Sequence, residues 1–113
     1  MSKFQEAVDT YKAEFDKLGI KYDADLLTAV AKGCGPSIYN PDSSKVSSSD
    51  QAELDRVKSN FLIKKLGLSE SDDLDGMIAS VVDQLGKSNR NKYRAMFYYL
   101  LATKAGKEGV YAK

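Results

Sequence analysis

Histidine and tryptophan are absent from the sequence, and cysteine occurs once, at Cys34. Without histidine there is no imidazole to act as general acid or base, to activate a serine or cysteine nucleophile, or to ligate a metal. A single cysteine forms no intramolecular disulfide and no multi-cysteine zinc site. Long apolar runs are missing too. The longest, Ala95 to Ala102, falls far short of the ~20 residues that span a bilayer. The polar start Met1-Ser2-Lys3-Phe4 has no signal-peptide core, Ser2 is no myristoyl acceptor, and Val110-Tyr111-Ala112-Lys113 is no prenylation box. A lone thiol fits a reducing compartment. These absences together predict a soluble, cytoplasmic protein with no membrane association.

What is present is a chain of 113 residues, 42% hydrophobic and 10% aromatic. That length makes one domain, spanning residues 1–113, with enough chain to bury a real core. Apolar residues recur at helical spacing almost throughout. Phe4, Val8, Tyr11, Phe15 and Leu18 form a narrow stripe that Gly19 ends. Asp23 is the N-cap of a second helix carrying Leu26, Leu27 and Val30, which Gly33 stops. Asp50 and Glu53 have capping-box spacing and open a third helix with Leu54, Val57 and Phe61 on one face. Phe61, Leu62 and Ile63 fan around the axis, which predicts burial on more than one side before Gly67 closes the helix. Ser69 with Asp72 suggests the cap of a fourth helix carrying Leu74, Met77, Ile78, Val81, Val82 and Leu85, closed by Gly86. Ser88 or Asn89 caps a fifth, with Tyr93, Met96, Phe97, Leu100 and Leu101 on its apolar face and Gly106 at its end.

One stretch has no period. Residues 33–49 hold both prolines, two glycines and six serines, which reads as a long, partly ordered loop with a short helical turn at Pro36–Tyr39. No run alternates as a strand. The fold class is therefore all-α: a single compact bundle of about five helices with one long Gly/Pro/Ser loop.

The formal charge of +1 conceals a division. Residues 1–55 hold six lysines against ten acids, a net of −4, and residues 56–113 hold eleven bases against six acids, a net of +5. Arg56 and Lys58 lie in an acid-free stretch, and Arg90, Lys92 and Arg94 lie among Tyr93, Tyr98 and Tyr99. One reading is a phosphate or nucleic-acid surface with tyrosines available to stack. The other is internal pairing. Bases at the start of the fifth helix oppose its dipole, so acids from another helix or a bound anion should compensate them. Helical geometry favours pairing, since Arg90 and Arg94 share a flank while Lys92 points elsewhere. A helix-turn-helix reading fits poorly, because Lys87 and Lys92 fall where that motif places apolar residues.

No catalytic signature and no cofactor motif stands out. Cys34 between two glycines is either an accessible thiol or an ordinary small buried residue, and no histidine is there to activate it. Gly33 to Ser37 lacks the Gly-Lys-Ser/Thr ending of a phosphate loop, and Asp72, Asp73 and Asp75 lack the alternating ligands of a calcium loop.

The blocks AVAKGCGPSIYN (29–40), ELDRVKSNFLIKKLGL (53–68) and SNRNKYRAMFYYLL (88–101) together resemble a bacterial family of small proteins of unknown function, the domain-of-unknown-function family numbered 2853. The resemblance implies a small protein standing alone as one domain and carries no activity or site residue with it. The expectation is a non-enzymatic module that binds a protein partner or assembles with itself. The alternative is a nucleic-acid or phosphate binder using Arg56, Lys58, Arg90, Lys92 and Arg94, and an enzyme built on Cys34, Tyr39 and carboxylates ranks last. Tyr39, in the long loop, joins those bases as a candidate binding residue.

Overall fold

In the computed structural model, the described residues are 3–39, 45–46, 50–69, 73–86, 92–106, 109 and 111. Five α-helices follow in order: α1 (Lys3–Leu18), α2 (Ala24–Cys34), α3 (Gln51–Arg56), α4 (Leu74–Leu85) and α5 (Arg94–Lys104). No strand occurs among the described residues, and the radius of gyration of 13.1 Å matches the about 13 Å of a globule this size. The all-α reading holds. No helix among the described residues is long and apolar enough to cross a membrane.

The helix boundaries follow local chemistry, and three differ from expectation. Asp23 caps α2 as predicted, its carboxylate accepting from the Asp25 and Leu26 N–H groups. The helix continues past Gly33 to Cys34, and the left-handed residue that ends it is Gly35, at φ +66°. The cap of α4 is Asp73, which accepts from the Gly76 N–H, rather than Ser69; Asp72 lies outside the described residues. A Cβ at position 76 would overlap the Asp73 carboxylate, so this cap requires glycine there. The N-cap position of α5 is Tyr93, without a side-chain cap, so Ser88 and Asn89, which lie outside the described residues, do not occupy it.

Of the long loop, residues 33–39 and 45–46 are among those described. A 3₁₀ turn covers Gly35–Tyr39. Further on, Lys45 pairs in an antiparallel bridge with Tyr93, and the Val46 N–H donates to the Lys92 carbonyl at 2.8 Å. The loop is thereby fastened to the residues that lead into α5.

Beyond α3 the chain widens into π-helical turns over Val57–Ile63. Phe61 and Leu62 are buried and Ile63 is partly so, consistent with the fan of apolar residues in the sequence.

The core is organised around α5. Seven of its residues, Ala95, Met96, Phe97, Tyr99, Leu100, Leu101 and Ala102, are buried. The sequence suggested one apolar face; the helix instead packs against both α2 and α4 and is covered nearly all round. From α1, Tyr11 and Phe15 reach this core. Phe15 stacks on Tyr22 and tilts against Tyr99, each at 5.4 Å between ring centroids. Because Phe15 is fully buried among rings, Phe15→Ala should lower unfolding free energy by about 3–5 kcal/mol in urea titration. An exposed change on the same helix, Lys17→Ala, should stay within about 0.5 kcal/mol of the parent.

Candidate functional site

The capping-box spacing predicts that Glu53 turns back to its own helix start. It does not. Asp50 does cap α3, accepting from the Ala52 and Glu53 N–H groups. The Glu53 carboxylate instead accepts from Arg56 at 2.7 Å through Oε2 and from Arg94 at 2.6 Å through Oε1. Arg94 donates a further bond to the Tyr98 hydroxyl at 2.9 Å. Tyr98 in turn stacks on Phe61, with centroids 4.0 Å apart and planes 11° apart. One carboxylate thus joins α3 to α5, and an aromatic pair extends the junction into the π-helical turns.

The electrostatics follow from burial. The Glu53 and Arg94 side chains are only 12% and 16% exposed. Burial alone would raise the Glu53 carboxyl, but the hydrogen bonds from Arg56 and Arg94 outweigh it and hold the group below the ordinary carboxylate range. Burial likewise opposes the charge on Arg94, and Tyr98 and Glu53 outweigh that. The Glu53 hydrogen bond is also the main cause that raises Arg56. This is the compensation that a base at the start of α5 demands.

The other candidate bases are dispersed. Lys58 pairs with Asp75 at 3.1 Å, an exposed contact worth at most about 1 kcal/mol. Lys92 is buried, at 4% exposure, and burial pushes its ammonium pKa down. Arg90 lies outside the described residues. Tyr39 is the one large hydrophobic residue exposed among those described, at 46%. Tyr98 stacks inside the junction, Tyr99 is buried, and Tyr93 packs against Tyr11 at 5.3 Å. The structure does not gather Arg56, Lys58, Lys92 and Arg94 into one open patch.

Cys34 ends α2 in a half-buried position. Burial pushes its thiol up to about 11, with Arg94 opposing weakly. Such a thiol is about one part in 10⁴ thiolate at neutral pH, too little for a nucleophile. Among the described residues no group of three or more acidic or cysteine side chains is placed to hold a metal ion.

A cleft of about 470 Å³ lies on the other side of α5, between the start of α2 and the chain near Gly109 and Tyr111. Leu26 and Ala29 give it apolar walls, and Asp23, Asp25, Tyr99 and Thr103 bring polar groups. The wall is fixed by a long-range bond, the Asp23 N–H donating to the Tyr99 hydroxyl at 2.7 Å. Among the described residues no lysine or arginine lines it directly, and the Lys65 ammonium sits 5.2 Å from the ring of Tyr111 on its wall. Two other clefts differ in kind. One, of about 430 Å³, sets Asp73 with Lys104; the other, of about 350 Å³ between α3 and α4, includes Asp75, already paired to Lys58. The 470 Å³ cleft was not legible in the sequence. Asp23 read only as a cap and Tyr99 as a base-stacking or core residue, and nothing in the spacing says that two residues 76 apart are hydrogen-bonded.

Two outcomes test this geometry. The folded-state pKa of Glu53 lies below its unfolded value, so the stabilisation is complete above the unfolded pKa of about 4.3 and is lost as pH falls through the folded value. Glu53→Gln should lower stability by about 2 kcal/mol at neutral pH. It should also flatten the fall in urea midpoint that the parent shows below about pH 4.3. Cys34 should react slowly with iodoacetamide at neutral pH, its rate climbing toward about pH 11; fast alkylation of the folded protein at neutral pH would contradict the buried thiol.

No curated protein is significantly similar to the chain in sequence. Residues 10–109, nearly the whole chain, match one family. By that match the chain belongs to the family described as protein of unknown function (DUF2853).

Proposed function

We propose that this chain is a non-enzymatic, cytoplasmic protein-interaction module that receives a segment of a partner in the cleft between the start of α2 and α5. The observation that carries the reading is that cleft. It is concave, of ligand-binding size, and walled by a buried tyrosine whose hydroxyl is fixed to the backbone of α2. The bases weigh against the alternative. Arg56 and Arg94 share Glu53, Lys58 meets Asp75, and Lys92 is buried, so these side chains do not offer phosphate a common face. The protonated Cys34 thiol weighs against covalent catalysis. The lone cysteine supports the cytoplasmic placement.

Light scattering after size exclusion, with affinity capture, measures association with a second copy or a partner. Ala29→Arg fills the cleft and should abolish whichever association is seen, while Lys17→Ala on α1 should leave it intact. A lone monomer without a partner, or a complex indifferent to Ala29→Arg, overturns the proposal. Fluorescence anisotropy with DNA and RNA at low salt should show no binding; binding that weakens steeply with salt would favour the nucleic-acid alternative instead.

A further inference from the structure

We infer that, whatever the cleft binds, Tyr111 is a latch: its ring seats on the bare backbone of Gly33, closes over the end of α2 beside the Cys34 thiol, and lifts away without any helix unfolding. The seat explains Gly33. This glycine lies inside α2 and its φ is not positive, so the backbone there accepts any residue. Alanine would support the helix better. What the missing side chain allows is a close approach. A Cβ at position 33 would stand 3.1 Å from Cε1 of Tyr111. That is inside the roughly 3.5–4.0 Å of ordinary carbon contact. The ring therefore lies on α2 closer than alanine permits.

Its other neighbours define what the ring covers and how firmly it is held. The ammonium of Lys65, an exposed residue, lies 5.2 Å from the ring centroid. Tyr111 and Cys34 are both half-buried and both pack against the core. Burial pushes the Tyr111 phenol pKa up, and the charge of a Cys34 thiolate would raise it further, so hydroxyl and thiol are neighbours. Tyr111 stands beyond α5 and belongs to no helix that must unwind when it moves. A ring resting on one turn of backbone beneath an exposed ammonium opens at far lower free energy than a helix packed in the core. Opening uncovers the thiol, so the latch sets the rate at which a thiol reagent reaches Cys34.

The test is iodoacetamide alkylation of Cys34 in the full chain, followed by mass spectrometry at fixed pH over urea concentrations below the unfolding transition. In the parent the rate should stay flat at low urea, as a small local opening requires, and rise only near the transition. Tyr111→Ala should raise that flat rate about tenfold while circular dichroism shows the helices intact. Gly33→Ala should raise it as well. Gly33→Ala should also raise the urea midpoint when Tyr111→Ala is present and fail to do so when it is absent, because alanine benefits the helix only where no ring is displaced. A parent rate that climbs with urea from the first addition means that the thiol reacts only through global unfolding, and overturns the latch. A flat rate unchanged by Tyr111→Ala overturns it too. An equal effect of Gly33→Ala on the midpoint with and without the Tyr111 ring removes the seat, and the latch with it.

Discussion

The Glu53 carboxylate sits between Arg94 and Arg56, and much of the structure depends on that placement. Arg94 opens α5, where the unsatisfied N–H groups already make the surroundings positive, and its side chain is largely removed from water. A guanidinium there is tolerable only with a carboxylate against it. Replacing such a pair with apolar groups can be neutral, but removing one member leaves a buried charge uncompensated. The pair is therefore better understood as fixing where α3 meets α5 than as a large net source of stability. Tyr98 and Phe61 continue the same junction, so the position of the π-helical turns is tied to the same carboxylate.

Neighbouring residues on α5 serve different sides of the molecule. Successive side chains on a helix diverge by about 100°, so Tyr98 and Tyr99 cannot face the same partner. Tyr98 belongs to the charged junction with α3. Tyr99 reaches the backbone of Asp23 and forms a wall of the cleft. The helix is thus a rigid divider, buried nearly all round, between a region where charges neutralise one another internally and a region where Asp23 and Asp25 line a cleft. The division between acidic first half and basic second half acquires a spatial meaning: bases of the second half meet acids within the molecule, Arg56 and Arg94 at Glu53 and Lys58 at Asp75.

Much of the fold was legible because its signals are local. Asp23 and Asp50 act as caps where the sequence placed them, and Gly19, Gly67, Gly86 and Gly106 all adopt positive φ. The misses arise where local rules compete. Gly33 is tolerated inside α2 because Gly35, two residues on, takes the left-handed position. Asp73 rather than Ser69 caps α4 because Gly76 gives its carboxylate room. The Glu53 partnership overrides the capping box because a buried guanidinium attracts a carboxylate more strongly than an exposed N–H does. Sequence required some acid or anion at the start of α5; which one is a matter of tertiary distance, and Glu53 stands 41 positions away.

The absence of histidine has a structural counterpart in the treatment of Cys34. A thiol near an arginine is often the mark of a reactive cysteine, since a cation lowers its pKa. Here Arg94 does act in that direction, but desolvation is the larger effect and the net result is upward. Arg94 is itself held by Glu53 and Tyr98, so much of its field is already answered before it reaches the sulfur. Burial, against an arginine that Glu53 and Tyr98 already engage, keeps the lone cysteine protonated.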